Sequence, residues 1–200
     1  MTNHSELILH LEDTGEDETF LDWQEVFGNG RPVEIEIGIG KGRFLIDAAQ
    51  RLADNNYLGI EWASKYLRIA QDRALKRCLD NIRFVRTDAK EFLEFFVPAN
   101  SVVAYHVYFP DPWPKKRHHK RRLFDATFIG ELERTLTPQG RLWFATDHIE
   151  YFDVIMSSLQ CSSCMAEVGA DWPEIATNYE AKYRAQGKQI HRRVFTRQSA

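Results

Sequence analysis

Residues 33–44 read VEIEIGIGKGRF, and the fold turns on how this stretch is parsed. Val33–Ile37 is a short apolar-rich run of strand length. It ends in glycines, after which Phe44, Ala48, Ala49 and Leu52 recur at helical spacing. The reading is strand, glycine turn, helix. Gly38, Gly40 and Gly42 give the spacing GxGxG, with Arg43 where a dinucleotide fingerprint wants a small residue. Glu36, just ahead of the glycines, would repel a pyrophosphate and suits a cationic ligand instead. An NAD-linked oxidoreductase is therefore disfavoured.

The same alternation continues along the chain. Tyr57–Glu61 reads as a second strand, with Leu67, Ala70, Ala74 and Cys78 striping a helix after it. Ile82–Arg86 is a third strand, followed by a short helix carrying Phe92, Phe95 and Phe96. Val102–Phe109 is a fourth, apolar enough to lie at the centre of a parallel sheet. A helix with Leu123, Phe128, Leu132 and Leu136 then leads through the turn Thr137-Pro138-Gln139-Gly140 to a fifth strand, Leu142–Thr146. Gln189–Arg197 is expected as a late strand at a sheet edge, antiparallel to the rest. The fold class expected is α/β, a Rossmann-like, mostly parallel doubly wound sheet with an antiparallel edge strand, whose ligand lies outside the carboxyl ends of the strands.

Three acids fall at those ends. Beside Glu36, Glu61 closes the second strand and is placed to accept from two ribose hydroxyls, and Asp88 closes the third and can meet an adenine amino group. A nucleoside that also carries an ammonium and a sulfonium, S-adenosylmethionine, fits this set.

Composition sets the outer bounds. Two hundred residues at 44% apolar content suffice for one buried core, so residues 32–200 are expected as a single domain behind an acidic extension, residues 1–31. No basic head precedes an apolar run, and no apolar stretch has membrane length, which points to a cytoplasmic protein without a membrane partner. Cys161 and Cys164 form a CxxC without the further ligands that a zinc site needs, and no metal is expected. Cys78 is expected in the core. Residues 1–30 hold eight Asp or Glu and no Lys or Arg, so the net charge of −3 hides a basic body. Such a body can face a polyanion.

The basic residues concentrate in VYFPDPWPKKRHHKRRL, residues 107–123. Pro110 and Pro112 fix φ on either side of Asp111 and aim its carboxylate from the end of the fourth strand. Lys115, Lys116, Arg117, Lys120, Arg121 and Arg122 then offer contacts to phosphates, which give salt-dependent affinity without base readout. Trp113 is expected either to stack on an extruded base or to anchor the loop from below. Enzymes that methylate exocyclic amino groups carry a related (D/N)PP-aromatic arrangement, but here a single proline follows the acid.

At these residues the chain resembles the bacterial tRNA (guanine-N7)-methyltransferases. The resemblance rests on EVFGNGRPVEIEIGIGKG at 25–42, LGIEWASKY at 58–66, FPDPWPKKRHHKRRL at 109–123, ATDHIEY at 145–151 and TNYEAKYRAQGKQIHR at 177–192. It implies the class I methyltransferase fold, S-adenosylmethionine as donor, S-adenosylhomocysteine as product, and a guanosine in the tRNA variable loop as acceptor. It further implies cofactor contacts at Glu36, Gly38, Gly40, Glu61, Asp88 and Asp111, with Asp111 also catalytic. Substrate contacts are implied at Lys115, Asp147, Thr177, Asn178, Tyr179 and Glu180. The partner would be tRNA rather than DNA, and the enzyme a monomer or homodimer. An amino-group methyltransferase and a non-catalytic RNA-binding module are the readings set against it.

Overall fold

The computed structural model describes residues 7–11, 20–172 and 177–198. Seven strands form one sheet: β1 (Val33–Ile37), β2 (Asn56–Ile60), β3 (Ile82–Val85), β4 (Val102–Tyr108), β5 (Leu136–Thr146), β6 (Met165–Val168) and β7 (His191–Arg197). Their spatial order is β3-β2-β1-β4-β5-β7-β6. β1 to β5 pair in parallel, while β7 runs antiparallel to both β5 and β6. The helices are α1 (Trp23–Phe27), α2 (Arg43–Arg51), α3 (Ser64–Lys76), α4 (Ala89–Phe96), α5 (Ala126–Thr135), α6 (Ile149–Gln160) and α7 (Asn178–Ala185).

Strand alternation sends side chains to two separate cores. Ile35, Leu58, Val85, Tyr105, Val107 and Phe144 meet Phe92, Phe128, Leu132 and Ile155 from α4, α5 and α6 on one face. On the other, Tyr57, Phe84, Ala104 and Trp143 meet Phe44, Leu45, Leu67, Ala70 and Ala74 from α2 and α3. Parts of the first 31 residues join these cores. Leu7 is fully buried, Leu9 donates its amide to the Phe84 carbonyl at 2.8 Å, and Phe27 of α1 is buried. Glu6, Glu12, Asp13, Glu16, Asp17 and Glu18 of the acidic head lie outside the described residues.

Helix starts follow local chemistry. Asp22, Asp88, Asp125, His148 and Thr177 cap α1, α4, α5, α6 and α7 through side-chain acceptors, each satisfying an amide that the first turn leaves free. At Gly42, which opens α2, φ is +69° and an added Cβ would stand 2.8 Å from Ala70 Cβ. Glycine here lets α2 and α3 pack closely.

Several local expectations fail for reasons of packing. Cys78 lies beyond α3, exposed and at φ +53°, because the helix has already ended in the Arg77 cap. Leu52 is likewise a C-cap and 53% exposed. Leu123 precedes α5, and the basic run forms a 3₁₀ turn, Lys116–Arg121, instead of entering that helix directly. The turn at 137–140 falls inside β5: pairing with β4 jumps from Val102↔Leu136 to Ala104↔Arg141, with Gln139 at φ +66°. The strand at the C-terminus is antiparallel as expected, but it is not the edge. β6, too short to stand out in sequence, adds outside it. Inserted between β5 and β6, β7 buries Val194 and Phe195 on opposite faces.

Candidate active site

The strand order reverses between β1 and β4, and a cavity of about 320 Å³ opens there at the carboxyl ends. Its size is that of a small-molecule site. Glu36, Gly38, Gly40 and Phe44 line it from β1, the glycine turn and α2; Tyr66 and Arg73 from α3; Tyr108 from β4; Thr177, Tyr179 and Lys182 from α7 and its cap.

Glu36 is 3% exposed and accepts from the Leu45 amide at 3.1 Å. Burial pushes its carboxyl well up; the Leu45 hydrogen bond offsets this in part and the nearby charge of Glu61 adds to it. Among the described residues no Lys or Arg pairs with it. Glu61 stands one residue past β2, where Oε2 accepts from the Gly40 amide and Oε1 from the Ala63 amide, both at 2.8 Å. Gly40 at φ +53° can turn its amide to that carboxylate without strain. Asp88 is exposed and caps α4, accepting from the Lys90 amide at 2.9 Å. Glu61, Asp88 and Asp111 are not among the residues lining the cavity; they stand around it at the same end of the sheet.

The loop after β4 is stiffened more than its prolines alone require. Phe109 and Trp113 both take positive φ, +55° and +43°, a rare and strained state for aromatic residues that bracket Asp111. The Phe109 amide donates to the Ala145 carbonyl at 2.7 Å, and Arg122 Nε donates to the Pro112 carbonyl at 2.9 Å. Arg122 is buried with its guanidinium 4.8 Å from the Tyr151 ring centroid. It is thus a brace of the loop rather than a phosphate contact, which corrects the sequence reading. Trp113 is half-buried, edge-on to His118 at 5.7 Å and under the Arg121 guanidinium at 4.9 Å, so it anchors the basic turn. Asp111 itself is exposed, as is Lys115.

Residues 177–180 arrive on the far wall. Thr177 caps α7 through the Glu180 amide at 2.9 Å and lines the cavity. The Tyr179 ring, 48% exposed, packs against Phe109 at 6.0 Å and Tyr183 at 5.9 Å. Burial holds its hydroxyl above the ordinary phenol range, and Tyr66, Tyr183 and the charges of Asp111 and Glu61 add to this by disfavouring a phenolate there. Glu180 is buried and engaged by Arg184 at 2.7 Å and by Arg192. Asp147 pairs with Lys188 at 2.7 Å. The side chain of Asn178 lies outside the described residues.

Among the described residues no group of three or more His, Cys, Asp or Glu is arranged to hold a metal ion. Cys161 ends α6 as its cap and Cys164 leads into β6, both as free thiols.

Residues 30–193 match the family model described as "Putative methyltransferase". The tRNA (guanine-N(7)-)-methyltransferase of Geobacillus thermodenitrificans is 37% identical over 177 residues, covering 85% of this chain and 82% of that protein. The Enterococcus faecalis protein of the same name is 38% identical over the same shares. The chain belongs to the tRNA (guanine-N(7)-)-methyltransferase family. Among solved structures, the aminoglycoside resistance methyltransferase NpmB1 superposes with a TM-score of 0.61 at 21% identity, covering 87% of this chain and 91% of its own. TrmN from Thermus thermophilus gives the same score at 19% identity, covering 87% and 46%. At such identities these two speak for the class I methyltransferase fold alone.

Within this family member, sequence reading missed Tyr66, Arg73, Tyr108 and Lys182 as cavity residues. Lys182 follows Tyr179 by three residues, one helical turn, and Tyr108 closes β4 at the carboxyl end where a ligand is expected, so each had a signal. Tyr66 and Arg73 had none, because the packing of α3 places them. Also unforeseen is a buried polar file beside the cavity. His106 Nε2 meets Glu34 Oε2 at 2.6 Å, and His106 Nδ1 meets the Tyr108 hydroxyl at 2.8 Å.

Proposed function

We propose that this protein transfers the methyl group of S-adenosylmethionine to N7 of a guanosine in tRNA, as a cytoplasmic enzyme. The observation that carries the reading is the buried Glu36 carboxylate facing a cavity at the strand-order reversal, with the braced Asp111 loop at the same end of the sheet. A donor with an ammonium and a sulfonium is the kind of ligand that favours the ionised form of a buried acid, and the open glycine turn leaves room for it.

In this reading Glu36 draws in the positive end of the donor. Glu61 keeps lone pairs for the ribose hydroxyls while its amide bonds hold the turn, and Asp88 offers its carboxylate to the adenine amino group beyond its capping role. When bound, S-adenosylmethionine would supply an electrophilic methyl on sulfur for the lone pair of N7 and would leave as the neutral thioether S-adenosylhomocysteine.

N7 carries no proton, so no general base is needed, and catalysis consists mainly of alignment. Asp111, held by two strained neighbours, offsets the positive charge that the purine gains. The usual Arg or Lys fork on guanine O6 and N7 would block the nucleophile. Lys115 donating to O6 alone leaves N7 free, and Asp147, released from Lys188, accepts from N1 and N2. Thr177, Asn178, Tyr179 and Glu180 form the substrate wall, where the exposed Tyr179 ring offers a stacking face.

The test is incubation of the purified protein with unmodified tRNA and labelled donor, followed by mass spectrometry of the nucleosides. N7-methylguanosine is expected. Methyl on an exocyclic amino group, or none on tRNA, would overturn the reading.

A further inference from the structure

We infer that the outer surface of α2 and α3 carries a phosphate-binding site for the tRNA backbone, separate from the basic turn at 116–121. The inference rests on the tRNA reading above and deepens it.

A second concave site of about 450 Å³ lies against the cofactor cavity, lined by Arg43, Ile46, Asp47, Arg73 and Arg77. Three guanidiniums converge there against a single carboxylate. Among the described residues Arg43 has no ion-pair partner. Arg73 is fixed by donating Nη1 to the Lys41 carbonyl at 2.9 Å, which ties it to the glycine turn. Arg77 reaches Asp47 only at 3.9 Å, with both side chains a third or more exposed or nearly so, 40% and 31%. That contact and the hydrogen bond from Arg77 Nη1 to the Arg73 carbonyl at 3.4 Å are both long and leave donors of the fork for an anion. Arginine forks match phosphate oxygens in pairs.

Two anions could use this chemistry: a backbone phosphate or the donor's own carboxylate. Position favours the phosphate. Arg43 and Arg73 line both cavities, but Arg77, four residues past Arg73 at the C-cap of α3, lines only the outer one. One carboxylate inside the cavity does not require three guanidiniums outside it. A nucleotide whose base enters the cavity leaves its neighbouring phosphates at the rim, where these side chains stand.

The experiment compares wild type with Arg77→Glu and Asp47→Asn, measuring tRNA affinity across a salt series and S-adenosylhomocysteine affinity by calorimetry. For Arg77→Glu, tRNA binding is expected to weaken by about fivefold to tenfold, with the salt slope reduced by about one. S-adenosylhomocysteine affinity should stay within about twofold. Asp47→Asn, which removes the competing carboxylate, is expected to tighten tRNA binding, and it carries the test should Arg77→Glu fold poorly. Wild-type tRNA affinity and salt slope in both variants would overturn the site. So would a selective loss of S-adenosylhomocysteine affinity, which assigns the arginines to the donor. A wild-type protein that neither binds nor methylates tRNA would instead sink the underlying function.

Discussion

Glu61 Oε2 accepts a hydrogen bond from the Gly40 amide at 2.8 Å, joining the end of β2 to the glycine turn that follows β1. The acid thereby shapes the turn before any ligand arrives. Glu61→Ala should leave that amide without its acceptor and, with it, remove the proposed ribose contact. Donor affinity is expected to fall at least about tenfold, since a charge-assisted hydrogen bond contributes about 1.5–3 kcal/mol. Calorimetric titration with S-adenosylhomocysteine checks this; unchanged affinity would show that the turn holds itself.

Glu36 is expected to make donor binding pH-dependent. Its folded carboxyl is raised by burial, so the free protein holds a proton there more tightly than the unfolded chain does. Its contribution to stability is therefore present at low pH and lost as pH climbs from the ordinary carboxylate range through the raised value. A cationic ligand favours the ionised form, so binding should release a proton and affinity should rise with pH across the same window. Titrations in two buffers of different ionisation enthalpy should give different heats for wild type and matching heats for Glu36→Gln. Identical wild-type heats in both buffers would refute the coupling.

Asp111→Asn is expected to keep the fold and most of the tRNA affinity while lowering single-turnover methyl transfer by about 100-fold or more, the scale of losing one group aimed at developing charge. Full turnover in this variant would take Asp111 out of catalysis.

The basic run divides into two kinds of residue. Arg122→Ala should lower stability by about 2 kcal/mol, because it strands the Pro112 carbonyl and empties the space over Tyr151. Its methyl transfer should drop as the loop loosens, with the salt dependence of tRNA binding intact. Lys116→Glu with Arg117→Glu should do the reverse, leaving the melting temperature nearly unchanged while weakening tRNA and flattening its salt slope. Melting curves and salt titrations on both variants separate the two roles.

The alternation from Val33 to Thr146 was legible because strands and helices write their periods locally, and Glu36, Glu61 and Asp88 were legible because strand ends are. Where sequence reading went astray, periodicity and composition alone could not show the deciding contact. Arg122 looks like its neighbours until Pro112 and Tyr151 fold over it. Cys78 fits a helical stripe that the Arg77 cap cuts short. Glu34 and His106, 72 residues apart, give no hint of the pair they form.

The chain's own pattern therefore determined the doubly wound sheet, the glycine turn and the carboxylates gathered at one end, since each depends on neighbours a few positions away. Only the tertiary structure decided that β7 enters between β5 and β6, that Arg73 and Lys182 meet at one cavity, and that one of the six basic residues, Arg122, braces the loop while the other five stay exposed. Those outcomes depend on which surfaces exclude water against each other, and burial is a property of the assembled layers that no short stretch of sequence contains.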